Sequence, residues 1–168
     1  AVFTTVSFWV KSSVTGTYTI SFTNSAQDRS YLAQYTVIAA STWEYKTISF
    51  IVDTSGTWLT AAGTIGAIVK FDIGAGTNFE GTASAWQAGN KERVSTNVKL
   101  RANTGATFQF TGLQWEVGTA ATAYEQMPYQ VELARCQRYF YALRAADASS
   151  TYGFYGSGII SATGAYGD

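Results

Sequence analysis

The sequence predicts an all-β fold, an antiparallel β-sandwich followed by one short α-helix and further C-terminal strands. Apolar and polar residues alternate over most of the first 117 positions, and turn-forming residues recur between the alternating segments. Aromatic residues make up 15% of the 168 residues and charged residues only 13%. Strands favour aromatic and β-branched side chains, and short strands separated by regular turns are typical of sandwiches.

The first half contains five alternating segments, each predicted to be a half-buried strand. In the first segment Val6, Phe8 and Val10 form the apolar face, while Ser7, Trp9 and Lys11 form the other. The inward residues of the other four are Tyr18, Ile20 and Phe22; Tyr31, Ala33, Tyr35, Val37 and Ala39; Ile48, Phe50 and Val52; and Ile65, Ala67, Val69, Phe71 and Ile73.

The periodicity stops at Gly74 and returns after Arg93. The region 74–93 is rich in Gly, Ala, Thr and Asn, and a stretch of this kind predicts a functional loop or a packed surface loop. Residues 94–102 predict a strand with Val98 and Leu100 inward, and 108–117 predicts the last strand of the set. A jelly roll is favoured over an immunoglobulin plan, because its two long sheets present one concave face and no Cys–Trp–Cys framework is present.

The only proline, Pro128, predicts the start of the short helix, which extends over 129–138. Cys136 takes an inward position on this helix and is expected to be a small buried hydrophobe. Strand character resumes at 139–141 and around Ile159 and Ile160. The predicted division is therefore a sandwich over 1–118, followed by a connector, the helix and the start of a C-terminal β segment over 119–168. Both ends stop abruptly, which suggests a piece of a longer polypeptide.

The composition argues against several classes of function. Eleven basic residues balance eleven acidic ones and no basic face is visible, so nucleic-acid binding has little support. The absence of histidine and the single cysteine argue against His-dependent triads, zinc sites and a disulfide framework. No apolar run approaches the length of a membrane span, so membrane insertion is not expected.

Paired carboxylates are the one catalytic option that the composition leaves, as in glycoside hydrolysis. The eleven acids are scattered, and no motif places two of them on one strand face. We therefore expect no catalysis, although a pair brought together by folding stays open, with Asp72 and Glu80 as the residues to test. No cofactor is expected. Asp72, Asn78 and Glu80 could offer oxygen ligands to a structural calcium ion, but no calcium-loop pattern supports one.

Tryptophan faces can stack on sugar rings, so these residues are the candidates for ligand contact. Trp9 and Trp115 lie within predicted strands and are assigned to packing. For Trp86, the alternative is a loop plug that covers the end of the sandwich. The candidate ligand-binding residues are Trp86, Asn78, Glu80, Gln87 and Asn90 in the long loop, and Trp43 and Trp58 beside turns.

A run of residues from 112 to 139 has a motif-like spacing. Its matching positions are Gly112, Gln114, Glu116, Gly118, Ala121, Thr122, Tyr124, Glu125, Pro128, Tyr129, Glu132, Leu133, Cys136, Gln137, Arg138 and Tyr139. This run resembles a segment of the receptor-binding and tail-fibre proteins of tailed bacteriophages, with Trp115 where Leu is usual. The stretches SFWVKSSVTGTYTISF, STWEYKTISF and ASAWQAGN resemble the preceding domain of the same proteins.

The resemblance implies a carbohydrate-binding-module-like jelly roll on a virion tail appendage, commonly a homotrimer. The expected function is a structural and receptor-binding module for host attachment that contacts host surface polysaccharide without catalysis. Other tail-fibre or baseplate proteins are the expected partners, and the protein is extracellular after release. The alternatives are a carbohydrate-binding domain of a virion-associated or secreted depolymerase, or a capsid or collar decoration protein. In the family an A-W-x-A-G-N stretch recurs, which favours a structural role for Trp86.

Overall fold

The computed structural model describes residues 2–137, which divide into one compact unit ending at Tyr124 and a second beginning at Glu125. The elements are β1 (Phe3–Ser12), β2 (Gly16–Asn24), β3 (Arg29–Val37), β4 (Glu44–Ile51), β5 (Ala67–Phe71), β6 (Trp86–Ala88), β7 (Phe108–Val117) and α1 (Tyr129–Gln137), with 3₁₀ turns at Thr77–Phe79 and Leu100–Ala102. The predicted all-β sandwich with one short helix is confirmed. The strands predicted at 139–141 and around Ile159 lie outside the described residues.

Two antiparallel sheets form the sandwich. One has the strand order β4-β1-β7 and the other the order β5-β2-β3-β6. The chain passes between the sheets after β1, β3, β4 and β6, so the two layers are interleaved along the sequence. Within the three-stranded sheet the first and last strands of the sandwich are neighbours, with Thr4 opposite Val117.

The core lies between the sheets and follows the predicted alternation. Val6, Phe8 and Val10 of β1 are fully buried, as are the corresponding residues Tyr18, Ile20 and Phe22 of β2. Phe8 makes edge-to-face contacts with Tyr35 at 5.2 Å and with Phe71 at 5.1 Å between ring centroids. Edge-to-face pairs of this kind stabilise a core beyond the area that they bury.

A β-bulge in β7 changes which residues face the core. Ser7 pairs with Gln114 but Trp9 pairs with Thr111, so Phe8 is opposed by two residues of β7 instead of one. Gly112 adopts a φ of +60°, a left-handed conformation that disfavours other residues. Because of the extra residue, the inward positions switch from Phe108 and Phe110 to Trp115.

Two predicted strands end earlier than expected, because carboxylates bind the backbone where they stop. Glu44 accepts hydrogen bonds from the amides of Ile38 and Ala39, and Ala39 is exposed. Asp72 accepts hydrogen bonds from the amides of Gly74 and Ala75 and so ends β5. The inward positions predicted for Ala39, Ile65, Ala67 and Ile73 are wrong, since all four side chains are exposed.

The strand predicted over 94–102 is also wrong. This region forms a turn and the 3₁₀ turn that begins at Leu100. Leu100 is nevertheless buried and Val98 packs against the core, so their inward orientation is correct. The Val98 amide donates to the Thr17 carbonyl oxygen at 2.9 Å, which anchors the segment without a full strand ladder. The short strand β6, by contrast, lies in the region predicted to be irregular.

The helix α1 matches the predicted position up to Gln137. Pro128 precedes it, and its carbonyl oxygen accepts hydrogen bonds from the amides of Val131 and Glu132. The expected burial of Cys136 is wrong: the residue is exposed, and none of the residues of α1 is buried. Within residues 2–137 no helix has the length and apolar character needed to cross a membrane.

Candidate functional site

A cavity of about 370 Å³ lies beside the end of β4, where three tryptophans from distant parts of the chain meet. The loop after β4, the start of β5, and single residues of β6 and β7 complete its wall. The lining residues are Phe50, Val52, Asp53, Trp58, Leu59, Thr60, Gly66, Ala67, Trp86 and Trp115. We call this the tryptophan cavity. Its size is that of a site for a small ligand.

Trp86 joins the two sheets at the cavity. It lies on β6, opposite Tyr31 of β3, and its indole Nε1 donates to the Ile51 carbonyl oxygen of β4 at 2.7 Å. Its ring also contacts Tyr31 at 5.4 Å and Phe50 at 6.0 Å between centroids. Trp86 is therefore a structural bridge between the layers, and the same ring forms part of the cavity wall.

Trp58 stands at a right angle to Trp86, with an interplanar angle of 88° and a centroid distance of 5.6 Å. Its Nε1 donates to the Ser55 carbonyl oxygen at 2.9 Å, so the ring is fixed by its own loop. Gly56 has a φ of +79°, and a Cβ there would lie 2.7 Å from Arg29 Cγ. This close approach requires glycine and places the Trp58 loop against the start of β3.

Asp53 anchors the same loop. Its Oδ2 accepts a hydrogen bond from Arg29 Nε at 2.6 Å, and its Oδ1 accepts one from the Ser55 amide at 2.9 Å. Burial of the carboxyl raises its pKa, but these hydrogen bonds and the charge of Arg29 outweigh that effect. The pKa of Asp53 is therefore lowered, and the side chain is a structural anion at the edge of the tryptophan cavity.

Trp115 completes the cavity, although the sequence assigned it to packing. The bulge at Gly112 turns it toward the core, where it lies 5.3 Å from Phe22 and 6.4 Å from Phe50 between centroids. Its Nε1 donates to Thr4 Oγ1 at 2.6 Å. A glycine inside a strand pattern often marks a bulge, so Gly112 was the signal for this change of face. The other lining residues not predicted are Phe50, Val52, Asp53, Leu59, Thr60, Gly66 and Ala67.

The polar candidates of the long loop do not line the tryptophan cavity. Gln87 Oε1 accepts a hydrogen bond from the Thr82 amide and its Nε2 donates to the Thr82 carbonyl oxygen, which closes a local turn. Asn90 Oδ1 accepts a hydrogen bond from Lys70 Nζ at 2.8 Å. These contacts hold the loop together.

The remaining candidates lie elsewhere too. The carbonyl oxygen of Asn78 accepts a hydrogen bond from Lys91 Nζ at 3.2 Å. Trp43 is 42% exposed and lies beneath Lys11 Nζ, which is 6.0 Å from its ring centroid. The structure thus brings Trp58 and Trp86 together and leaves Trp43, Asn78, Glu80, Gln87 and Asn90 outside the cavity.

Asp72 and Glu80, the acids left open for catalysis or calcium, share a buried arginine. Arg93 Nε is 3.8 Å from Asp72 Oδ2, and Arg93 Nη1 is 3.6 Å from Glu80 Oε1. The Arg93 side chain is completely buried, so its cation already occupies the space between the two carboxylates. Among residues 2–137 no group of three or more acidic or cysteine side chains could hold a metal ion.

Residues 118–124, which follow β7 within the motif, form a clasp across the outer face of the three-stranded sheet. Glu116 accepts hydrogen bonds from the Thr122 amide and hydroxyl, each at 2.8 Å. Thr5 Oγ1 donates to the Gly118 carbonyl oxygen, and Ser49 Oγ donates to that of Thr119. The connector therefore covers Thr5, which is only 1% exposed on the side away from the core. We call residues 118–124 the connector clasp.

No family model, curated protein or solved structure matches this chain. The likeness to phage fibres stays a prediction that rests on the motif residues themselves.

Proposed function

We propose that this chain is a non-catalytic module of a bacteriophage tail fibre that contacts glycans of the host surface. The observation that carries the binding part is the tryptophan cavity, in which Trp58, Trp86 and Trp115 meet at the end of the sandwich. Aromatic side chains are the groups that recognise the apolar faces and substituents of sugars. The phage setting rests on the motif at 112–139.

The absence of catalysis in this proposal is supported by the hydrogen bonds and ion pairs of the acidic side chains. Each acidic side chain between residues 2 and 124 has a structural partner. The partners are Asn24 for Asp28, Lys46 for Glu44, Arg29 for Asp53, Arg93 for Asp72 and Glu80, Lys70 for Glu92 and Thr122 for Glu116. A hydrolase of the two-carboxylate type needs two acids that face a substrate, and these side chains instead hold turns and loops.

Binding is tested by screening the chain on an array of bacterial surface glycans, followed by calorimetry with the glycans retained. We expect Trp58→Ala to weaken binding at least about tenfold, because aromatic contact in a pocket dominates affinity. Trp43→Ala is the matched control, since Trp43 is an exposed tryptophan outside the cavity. Retention of no glycan, or equal losses in the two variants, would contradict the proposal.

The proposed assembly is a homotrimer that works with other tail-fibre or baseplate proteins. Exposed aromatic residues on the outer face of the three-stranded sheet offer apolar surface for contact between copies, with Trp9 and Tyr45 44% exposed and 5.3 Å apart between centroids. Light scattering of the chain at micromolar concentration measures the assembly directly. A trimer is expected, and a lone monomer would remove this part of the proposal.

A reducing-end release assay with the retained glycans tests the absence of catalysis.

A further inference from the structure

We propose that the tryptophan cavity binds a methyl-bearing substituent of a sugar, either an acetyl group or the methyl of a 6-deoxy sugar. A fully hydroxylated hexose is a poor ligand for this cavity. The inference rests on the proposed function and names the class of glycan that the same site takes. Three features of the cavity carry it: committed donors, a right-angled corner and an apolar wall.

All three indole donors of the cavity are already used within the protein. Trp58 Nε1 donates to Ser55, Trp86 Nε1 to Ile51 and Trp115 Nε1 to Thr4. An indole has no other polar atom. The tryptophans therefore present carbon surface to a ligand and offer its hydroxyl groups no hydrogen bond.

The other polar lining groups do not change this. The Asp53 carboxylate is engaged by Arg29 and by the Ser55 amide. Thr60 is exposed in the loop after β4, so its polar groups are already in contact with solvent. Phe50, Val52 and Leu59 supply further carbon surface. A hydroxyl group buried here would lose its water without gaining a partner, which is unfavourable, whereas a methyl group gains from the same transfer.

The geometry of the rings favours a compact group over a flat one. The edge-to-face contact between Trp58 and Trp86 makes the two rings a corner, since their planes meet at 88°. A sugar ring can stack on one plane only, and the second ring then blocks its extension. A methyl group is small enough to touch both ring faces at once, so the corner selects for it.

The test uses titrations of the whole chain, followed by tryptophan fluorescence and calorimetry, with two matched series of sugars. One series is glucose, N-acetylglucosamine and 6-deoxyglucose, and the other is galactose, N-acetylgalactosamine and 6-deoxygalactose. We expect at least one methyl-bearing sugar to bind about tenfold or more tightly than its parent, since one apolar group in an apolar pocket contributes at least that much. Tighter binding confined to the N-acetyl sugars identifies acetyl as the source, and tighter binding confined to the 6-deoxy sugars identifies the ring methyl.

Trp58→Ala opens the corner and is expected to reduce the preference to less than about twofold, while Trp43→Ala keeps it. Leu59→Ala removes carbon surface from the cavity wall at a residue that is 41% exposed. It is therefore expected to reduce the preference as well, and it serves as the second variant should Trp58→Ala unfold. Equal binding of parent and methyl-bearing sugars overturns the inference and leaves the proposed function intact. So does a chain that binds glycans on the array but none of the six sugars. A chain that binds no glycan in either experiment fails both.

Discussion

Replacing Arg93 with alanine is expected to destabilise the loops that follow β5. Arg93 is fully buried, and its guanidinium donates to the carbonyl oxygens of Ala75 at 3.1 Å, Ser95 at 3.3 Å and Asn97 at 3.1 Å. Its Nε lies 3.8 Å from Asp72 Oδ2, beyond hydrogen-bond distance. The side chain therefore holds three backbone carbonyl groups through hydrogen bonds to one buried charge.

The size of the effect follows from what Arg93→Ala leaves behind. Three carbonyl oxygens lose their donor, and the carboxylate of Asp72, whose side chain is 1% exposed, loses its countercharge. Removing one partner of a buried charge pair costs about 3–5 kcal/mol. For a chain of 168 residues this loss lowers the melting temperature by roughly 6–20 °C.

Urea unfolding followed by tryptophan fluorescence measures this loss. Glu80→Gln is the control, because the Glu80 side chain is 28% exposed and Arg93 keeps Asp72 as its countercharge in this variant. We expect a loss below about 1 kcal/mol for that variant. Arg93→Met combined with Asp72→Asn should recover part of the stability, since neither charge then stays unpaired. A loss for Arg93→Ala as small as that for Glu80→Gln would refute this account of the buried charge.

Three further predictions concern the rest of the sandwich. Gly112→Ala should lower the free energy of unfolding by about 1–2 kcal/mol, because alanine is strained at the +60° φ of this position. Gly76→Ala is the control and should leave the melting temperature unchanged, because a Cβ there meets open space and the φ is not positive. Hydrogen bonds from Thr122, that of its amide first, lower the pKa of Glu116 from 4.5. The stability that Glu116 contributes is therefore present above about pH 4.5 and is lost as the pH falls through the folded-state pKa. Glu116→Gln should flatten the acid side of a plot of urea midpoint against pH, and an unchanged slope would count against the clasp. Phe8→Ala should cost about 3–5 kcal/mol in urea unfolding, because the side chain is fully buried, and a loss under about 1 kcal/mol would place it outside the core.

Alternation predicts the central strands well, because every second side chain of a sandwich strand packs into the core. Val6, Phe8 and Val10 show this most clearly, since all three are fully buried. The ends of strands are harder to predict, because they depend on side chains from outside the apolar pattern. Glu44 and Asp72 each accept hydrogen bonds from two backbone amides, which are then not available to pair with a neighbouring strand. Apolar periodicity does not register such contacts.

The candidate site was predicted in part. Trp58 and Trp86 are individually recognisable as aromatic residues beside turns or in a long loop, but nothing local shows that their rings meet at a right angle. Trp115 was assigned to packing, and its contacts with Phe22 and Phe50 confirm that assignment. Its place in the cavity wall was not predicted, because it depends on a one-residue bulge that changes the face of the strand. Val98 and Leu100 illustrate the opposite case. Their inward spacing is correct, yet two alternate positions are too few to separate a strand from a turn.

The placement of β1 beside β7 determines how the sandwich responds to a pulling force along the chain. Thr4 lies opposite Val117, so the start of β1 and the end of β7 are side by side. Tension applied at Phe3 and beyond Tyr124 first strips the connector clasp and then peels the two strands apart from the end at Gly118. Antiparallel hydrogen bonds lie across the strands, so they break one after another under such a load. Unravelling therefore begins at the clasp, and the pair formed by Ser12 and Phe108, at the opposite end of the two strands, is the last part of this strand pair to feel the force.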